Sequence, residues 1–333
     1  MSVITLIQNY FNLPPIFQYS NKLTYKIFLL IIIQYFNKIL YAKKKTSTYV
    51  IIKRWEIFFI SFYFLKKDNI LRNLHEETAN NFTSSAIIDC DYYDIIHDDT
   101  TLSPTLVDGD LIEGHGVREG GEYTPQECKP KYSTAVIVPY RDRAEQLRGF
   151  LVYMHTFFRR QRIHYRIFVV EQVDSRLFNR AKLLNIGAMA AMKAGFPCLV
   201  LHDVDLLPLR PANIYACTKR PRHMSSSINK FRFVLPYLTL FGGAIAIVSK
   251  QFKDVNGMSN EYFGWGGEDD DLYSRLEAHN LKMCRFEPET SRYHMVTHRS
   301  QHKGSSVHLQ IKILINMQTI VIITILNNVL LQY

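Results

Sequence analysis

The stretch "PCLVLHDVDLLP", residues 197–208, runs from an apolar segment into two aspartates that are separated by one residue. A short apolar run bounded by prolines is typical of a buried β-strand. "TAVIVPYRDR" (residues 134–143), "YRIFVVEQ" (residues 165–172) and "GGAIAIVSK" (residues 242–250) predict three more strands of the same kind. The chain therefore contains the strands of a buried sheet between residues 134 and 250.

Segments with helical spacing separate or follow these strands. Helices are predicted over Ala144–Gln161, Leu177–Ala194 and Asp269–Asn280, the first with an apolar face built around Phe150 and Met154. Strands that alternate with helices favour an α/β fold with a largely parallel sheet. Ligands of such sheets bind at the carboxyl ends of the strands, which is where the two aspartates of residues 197–208 lie.

The pair Asp203 and Asp205 is a candidate ligand site. Carboxylates spaced in this way can direct one side chain to a metal ion and the other to a ligand, and Mg²⁺ or Mn²⁺ commonly bridges substrate phosphates. A solvated turn at the end of a strand is the alternative. In "HMVTH", residues 294–298, Met295 and His298 stand three apart. A thioether, an imidazole and a carboxylate together suit Mn²⁺ better than Mg²⁺ or Ca²⁺.

A second acidic feature is "GWGGEDDDL", residues 264–272, in which four consecutive carboxylates follow Trp265 and two glycines. Adjacent like charges repel, so such a run persists most readily where a positive group or a proton in transit uses it. The alternative is a helix N-terminus, where acidic residues interact favourably with the helix dipole.

The overall composition is that of a globular protein, with 333 residues, 47% apolar residues and a net charge of +10. The basic excess is concentrated in the first 75 residues and in residues 141–166. No zinc-finger spacing, basic zipper or RNA-binding aromatic signature accompanies it, so nucleic acid is not an expected partner.

The N-terminal region predicts a membrane anchor. Two apolar runs, Ile27–Phe36 and Ile57–Leu65, flank a Lys/Arg cluster, and the positive-inside rule places that cluster in the cytoplasm and the second run in the membrane. Two buried helices are the alternative. We expect residues 1–67 to form the cytoplasmic tail and anchor. Polar residues 68–127 are then a stem and lead-in, and the glycosylation sequon at Asn81 agrees with a lumenal stem.

A series of motifs carries a family resemblance. "VPYRDR", "FNRAKLLNIG", "DVDLLP", "LFGGAIAIVSKQF", "NGMSNEYFGWGGEDDDLYSRL" and "HMVTH" follow one another between about Cys128 and His298, and together they resemble the β-1,4-galactosyltransferase family. The resemblance implies a single-pass type II membrane enzyme of the Golgi with a lumenal catalytic domain over residues 128–299. It also implies a GT-A type fold, in which a Rossmann-like nucleotide-binding half is joined to an acceptor-binding half.

The resemblance also assigns catalytic roles. Asp269 matches the general base that takes the proton of the acceptor hydroxyl, and repulsion from Glu268 and Asp270 is expected to raise its proton affinity. Glu268 would hydrogen-bond the sugars, and Trp265 would offer its ring to a pyranose. The glycines that would let this segment pivot as a lid are Gly264, Gly266 and Gly267.

The remaining matches concern the metal, the donor and the acceptor. Asp205, Met295 and His298 match the ligands of Mn²⁺. The matches to donor and nucleotide contacts are Pro139, Arg141, Arg143, Phe178, Arg180, Asp203 and Val204. The matches to the sugar and acceptor pocket, besides Gly266 and Gly267, are Lys230, Tyr237 and Leu240. Because Leu240 stands where galactose-specific members carry Tyr, we expect UDP-GalNAc to be accepted at least as well as UDP-Gal, unless Leu240 is merely a core residue.

Five cysteines bear on the compartment and on the acceptor. The resemblance implies the disulfides Cys198–Cys217 and Cys90–Cys128, leaves Cys284 unpaired, and so favours an oxidising lumen over reduced, buried thiols. The histidine before the two aspartates, His202, resembles the residue at this position in the branch of the family that galactosylates xylose in the proteoglycan linker. The cysteine pair and the acidic run instead favour the branch that acts on the 4-hydroxyl of terminal N-acetylglucosamine in glycoproteins or glycolipids.

Residues 300–333 depart from the family. "HLQIKILINMQTIVIITILNNVLLQY", residues 308–333, matches no part of it, so this tail is expected to be a truncated gene product or, alternatively, a second membrane helix. Three functions are therefore open: an active glycosyltransferase, an inactive product that binds UDP-sugar, and a membrane structural protein whose acidic run binds Ca²⁺. The run lacks the alternating ligand spacing of an EF-hand, which argues against the third.

Overall fold

The computed structural model describes residues 64–80, 83–86, 88–104, 116–118, 120–296, 321–326 and 329–332, the last two ranges as backbone alone. Residues 1–63 of the predicted tail and anchor, Asn81 and His298 lie outside the described residues. The end of the second apolar run, Phe64–Leu65, is described and forms a short strand. By compactness the chain divides into residues 1–60 and 61–333, and every described residue belongs to the second unit. No helix within the described ranges has the length and apolar character that crossing a membrane requires.

The described elements are short except around the central sheet. The strands are β1 (Phe64–Leu65), β2 (Glu122–Tyr123), β3 (Ser133–Tyr140), β4 (His164–Gln172), β5 (Cys198–His202), β6 (Leu206–Pro208), β7 (Arg222–His223), β8 (Ser227–Ile228), β9 (Ala244–Val248), β10 (Arg285–Phe286), β11 (Arg292–Met295), β12 (Val321–Leu326) and β13 (Val329–Gln332). The α-helices are α1 (Ile70–Asn73), α2 (Tyr93–Ile96), α3 (Ala144–Arg160), α4 (Arg180–Lys193), α5 (Ser249–Asp254) and α6 (Glu268–Ala278).

The central sheet has the strand order β13-β12-β4-β3-β5-β9-β7, and β2 also pairs with β4. Strands β4, β3 and β5 are parallel, which confirms the α/β class and the predicted buried strands. Strand β9 instead joins β5 antiparallel. No α-helix lies between β5 and β9, and the sheet is mixed because a parallel pair would need such a crossover connection.

Helix α4 packs directly on the sheet. A Cβ atom at Gly187 would lie 2.3 Å from Cγ2 of Ile137 in β3, so only glycine permits this approach. The helix begins at Arg180 and not at the predicted Leu177, because the side chain of Asn179 caps it by accepting a hydrogen bond from the Lys182 amide at 2.9 Å. The close packing fixes the first turn of α4 against the ends of the strands.

The described part of residues 68–127 is packed against the core, which its composition, typical of a stem or linker, did not indicate. Ile70, Leu74 and Ile96 are buried in the same core cluster as β3 and α3. Strand β1 pairs with β10, and the Cys90–Cys128 disulfide joins this segment to the lead-in of β3. A few apolar side chains, spaced through a polar sequence, are enough to pack the segment against the core. Their spacing follows no regular period, so sequence periodicity does not reveal them.

The backbone of the tail extends the sheet. Strand β12 runs parallel to β4, and β13 pairs antiparallel with β12. In these two described segments the tail is therefore β-structure and not the membrane helix that was one interpretation of its composition.

Candidate functional site

An arginine joins the two acidic features of the sequence. Arg180, at the start of α4, donates from Nε to Asp203 Oδ1 at 2.7 Å and from Nη1 to Asp269 Oδ1 at 2.9 Å. The same Nη1 lies 3.6 Å from Oε1 of Glu268. Three distant parts of the chain thus meet at the carboxyl end of β5, where the fold places ligands. We call Arg180, Asp203, Glu268 and Asp269 the carboxylate cluster.

The acidic residues of this cluster open helix α6. Gly264, Gly266 and Gly267 have φ values of 89°, 100° and 93°, which side chains with a Cβ rarely adopt. Residues 268–271 then form the first turn of the helix, where the dipole favours negative charge. The structural interpretation of the acidic run is therefore correct, and it is compatible with a catalytic one. Trp265 is fully exposed beside the cluster.

The pKa of Asp269 is raised to about 6. Burial is the largest cause, Arg180 opposes it, and the carboxylates of Asp203 and Glu268 add to it. Repulsion from Asp270, which the sequence suggested, is not among the causes. The carboxylate of Asp270 instead accepts a hydrogen bond from the Tyr237 hydroxyl at 3.1 Å. Asp269 is consequently a carboxylate that titrates close to neutral pH, as a general base requires.

Gly242 is a site residue to which sequence reasoning assigned no role. A Cβ atom there would lie 2.0 Å from Oδ2 of Asp269, so the absence of a side chain is what lets the carboxylate approach the backbone. The Gly242 carbonyl is itself fixed, because it accepts a hydrogen bond from Ser225 Oγ at 3.0 Å. The available signal was the adjacent glycine pair, residues 242–243, directly before strand β9.

The predicted nucleotide-binding residues lie at the carboxyl ends of β3 and β5 or follow them. Pro139 is the last but one residue of β3. The guanidinium carbon of Arg141 lies 5.2 Å from the centre of the Phe178 ring. Arg143 approaches Asp205, with 3.7 Å between Nη1 and Oδ2. This edge therefore presents guanidinium groups and an aromatic face, which suit a diphosphate and a base.

Two of the three predicted metal ligands are neighbours. Met295 of β11 pairs with Leu206 of β6, and the Val296 amide donates to the Asp205 carbonyl at 2.8 Å. His298 lies outside the described residues, and within those residues no group of three or more His, Cys, Asp or Glu side chains is placed to hold a metal ion. The carboxylate of Asp205 is a ligand type that suits Mn²⁺, whereas the thioether of Met295 is a ligand that only the family resemblance implies.

The three predicted pocket residues belong to the segment before β9. Tyr237 is tied to the acidic run through Asp270, and the pKa of its hydroxyl is raised to about 12, by burial first and then by Asp270. Leu240 is half-buried and is not part of the core clusters. Lys230 is exposed, with its ammonium 5.9 Å from the centre of the Phe231 ring. The structure therefore brings Tyr237 to the acidic run of residues 268–271 and leaves Lys230 in contact with its own neighbour.

The cysteines pair as the resemblance implied. The structure contains the disulfides Cys90–Cys128 and Cys198–Cys217, and Cys284 is a buried free thiol. The second bridge begins at the first residue of β5, the strand that leads into Asp203.

Comparisons with known proteins identify the family to which the chain is similar. Two family profiles match, "N-terminal region of glycosyl transferase group 7" over residues 104–218 and "N-terminal domain of galactosyltransferase" over residues 222–299. β-1,4-Galactosyltransferase 2 of Cricetulus griseus is 45% identical over 203 residues, which are 60% of this chain and 55% of that protein. β-1,4-Galactosyltransferase 1 of Bos taurus is 42% identical over 201 residues, 60% of this chain and 50% of that one. The chain thus spans about half the length of these relatives.

Solved structures of Drosophila β-1,4-galactosyltransferase 7 are also similar. Its catalytic domain in complex with xylobiose overlaps with a TM-score of 0.47 at 32% identity, covering 54% of this chain and 78% of that one. A mutant in complex with manganese, UDP-Gal and xylobiose overlaps with a TM-score of 0.47 at 28% identity, covering 60% of this chain and 92% of that one.

Proposed function

Because this chain belongs to the β-1,4-galactosyltransferase family and has a GT-A type α/β fold, we propose that it is a Mn²⁺-dependent, inverting glycosyltransferase. It moves galactose or N-acetylgalactosamine from a UDP-sugar to the 4-hydroxyl of a terminal N-acetylglucosamine. The observation that carries the proposal is the carboxylate cluster, in which Asp269 has a pKa of about 6 at the carboxyl end of the sheet.

Asp269 is the proposed general base. As the acceptor hydroxyl oxygen forms its bond to C1 of the donor sugar, its proton passes to the Asp269 carboxylate while the bond between C1 and the UDP oxygen breaks. A carboxylate with a pKa of about 6 is mostly ionised at neutral pH and yet holds a proton more strongly than an ordinary aspartate. Arg180 and Gly242 contact Asp269 and thereby set the place from which it acts.

The donor would bind along the edge formed by residues 139–143, Phe178 and Asp203. The ring of Phe178 and the guanidinium group of Arg141 offer a stacking face, and Arg143 can pair with phosphate oxygens. Asp205, Met295 and His298 would hold Mn²⁺, which when bound supplies positive charge against the departing diphosphate. Sequestration of the donor would fall to the glycine-flanked Trp265.

The donor preference is proposed to depend on Leu240. It is half-buried next to Tyr237, and a leucine leaves an apolar wall and space for a 2-acetamido group where a tyrosine would crowd it. One such group is worth about 1–3 kcal/mol, or roughly one to two powers of ten in donor preference. UDP-GalNAc is therefore expected to be used at least as well as UDP-Gal, and Leu240→Tyr should shift the preference towards UDP-Gal.

The disulfide pattern supports the acceptor and the compartment. The Cys198–Cys217 bridge favours the branch that acts on N-acetylglucosamine over the branch that acts on xylose. Two disulfides also suit an oxidising lumen. We accordingly propose a lumenal catalytic domain on a Golgi membrane, anchored through the N-terminal region.

The test is a transfer assay on the full chain with UDP-Gal and UDP-GalNAc, N-acetylglucosamine and xylose acceptors, and Mn²⁺ or a chelator. Asp269→Asn should lower transfer by about 10²-fold or more while UDP binding persists. Asp271→Asn is the matched control, because Asp271 belongs to the same acidic run but pairs with Arg275 at 2.6 Å. Transfer by Asp269→Asn at the parent rate, or an absence of transfer with every donor and acceptor pair, would overturn the proposal.

A further inference from the structure

A chain of buried hydrogen bonds lies beneath the turn that carries the two aspartates. The Tyr293 hydroxyl lies 2.9 Å from the Tyr215 hydroxyl, which lies 2.7 Å from His202 Nε2. His202 Nδ1 lies 2.8 Å from the backbone carbonyl oxygen of Asp203. All three side chains are fully buried, so water does not compete for these bonds. We call them the His202–Tyr215–Tyr293 chain.

The donors of this chain point in one direction. A carbonyl oxygen only accepts, so His202 Nδ1 carries the proton that is donated to Asp203. Burial lowers the pKa of His202 to about 4, so the ring is neutral and its Nε2 accepts. Tyr215 must then donate to Nε2, and its oxygen accepts in turn from Tyr293. Each hydroxyl is used once as donor and once as acceptor.

The far end of the chain reaches a buried cation. The side chain of Asn213 is a hydrogen-bond partner of the Tyr293 hydroxyl, and Arg222 Nη1 donates to Asn213 Oδ1 at 3.4 Å. The guanidinium of Arg222 is fully buried and also donates to the Ile214 carbonyl at 2.5 Å. A series of bonds aligned from a cation to a carbonyl oxygen polarises each member and strengthens it.

The near end of the chain holds the turn itself. The Asp203 carbonyl also accepts from the Leu206 amide at 3.3 Å, which closes the turn over residues 203–206, and the Asp203 amide donates to the Gly243 carbonyl at 3.1 Å. At the other end, Tyr293 sits in β11, two residues before Met295. The chain therefore connects the aspartate turn through the core to the strand of a second proposed metal ligand.

We propose that His202 is a positioning residue for the aspartate turn, held by Tyr215 and Tyr293 in the tautomer that donates to the Asp203 carbonyl, and that it fixes Asp203 and Asp205 where a UDP-sugar and its metal bind. The inference rests on the proposed function. It gives His202 a structural role next to the aspartates. In the sequence alone, His202 served only to compare two branches of the family. The essential element is the donor at Nδ1, because it ties the Asp203 carbonyl to buried side chains of the core. The backbone bond from the Val296 amide holds the same turn to β11 only at Asp205.

Two substitutions of the same residue separate this role from simple packing. In His202→Asn the amide nitrogen takes the place of Nδ1 and still donates to the Asp203 carbonyl. In His202→Gln the longer side chain reaches towards Tyr215 but presents no donor to that carbonyl. Calorimetric titration of the full chain with UDP in the presence of Mn²⁺ should show nearly parental affinity for His202→Asn. The affinity of His202→Gln should be weaker by about tenfold, the size of one lost buried hydrogen bond.

Thermal melting provides the internal comparison. Both variants leave unfilled space in the core and should lower the melting temperature by similar amounts. Tyr92→Phe is the control away from the turn, since it removes a buried hydroxyl that donates to the Arg162 carbonyl at 3.1 Å, and it should leave UDP affinity unchanged. If the parent protein binds UDP but the two His202 variants bind it with equal affinity, the inference is wrong and the proposed function stands. Failure of the parent to bind UDP would overturn both.

Discussion

The contact between Gly242 and Asp269 gives the sharpest test of the catalytic assignment. Replacing Gly242 with alanine adds one methyl group whose carbon would stand 2.0 Å from Oδ2 and 2.5 Å from Cγ of Asp269. Contacts shorter than 3.0 Å are essentially never formed by a Cβ atom, so the carboxylate must move away by about 1 Å. The backbone at Gly242 need not change, because its φ is negative.

The size of the effect follows from that displacement. A misplacement of about 1 Å in a catalytic group costs on the order of 10²-fold in rate. We therefore expect Gly242→Ala to lower kcat by about 10²-fold and to leave UDP affinity close to the parental value, because the nucleotide edge lies with residues 139–143 and Phe178. The loss of kcat would come from the altered position of the carboxylate, because Asp269 itself is still present.

The assay is transfer from a UDP-sugar to an N-acetylglucosamine acceptor, together with calorimetric UDP binding and thermal melting. Gly116→Ala is the control, because its methyl would meet only the Tyr123 ring, at 3.8 Å, while its φ of 73° still imposes backbone strain. A folded Gly242→Ala protein with the parental kcat would refute the reasoning that Asp269 acts from the observed position.

Three further outcomes are expected. Because Asp269 must be ionised to accept a proton and its pKa is about 6, transfer should fall as the pH is lowered through 6; a pH–rate profile that is flat between pH 5 and 7 would contradict this. Arg180 lowers the pKa of Asp269, so Arg180→Gln should move the midpoint of the same profile to higher pH, and a downward shift would be inconsistent with the ion pair. Replacing Cys198 and Cys217 with serine opens a bridge with a sequence separation of 19 residues and should lower the free energy of unfolding by about 3 kcal/mol in a denaturant titration; an unchanged free energy would argue against a stabilising bridge.

The sheet was predictable because its strands are buried on both faces. Strands β3, β4 and β5 appear in the sequence as apolar runs. Such runs can be recognised whatever the register in which the strands pair. The antiparallel direction of β9 has no such signature, since it depends on how residues 203–243 cross the molecule. The packing of the segment from Ile70 to Ile96 escaped prediction for a similar reason, because its few apolar residues follow no regular period.

The site was predictable in its residues and not in its contacts. The family resemblance named Asp203, Asp269 and Arg180, but that Arg180 joins the two aspartates is a tertiary fact. The cause of the raised pKa of Asp269 shows the same limit, since burial outweighs the neighbouring charges that the sequence displays. The roles of the metal ligands and of Leu240 stay predictions that the experiments above address.

The spacing of the cysteines has a consequence for the order of events during synthesis. Both bridges, Cys90–Cys128 and Cys198–Cys217, use partners that leave the ribosome before Cys284 does. In an oxidising compartment each pair can close over a short loop while the C-terminal third of the chain is still being translated. Wherever both pairs close before Cys284 emerges, no earlier thiol is left for it to pair with. Its burial against Thr218, 3.5 Å from Oγ1 to Sγ, also shields the odd thiol from disulfide exchange with other chains.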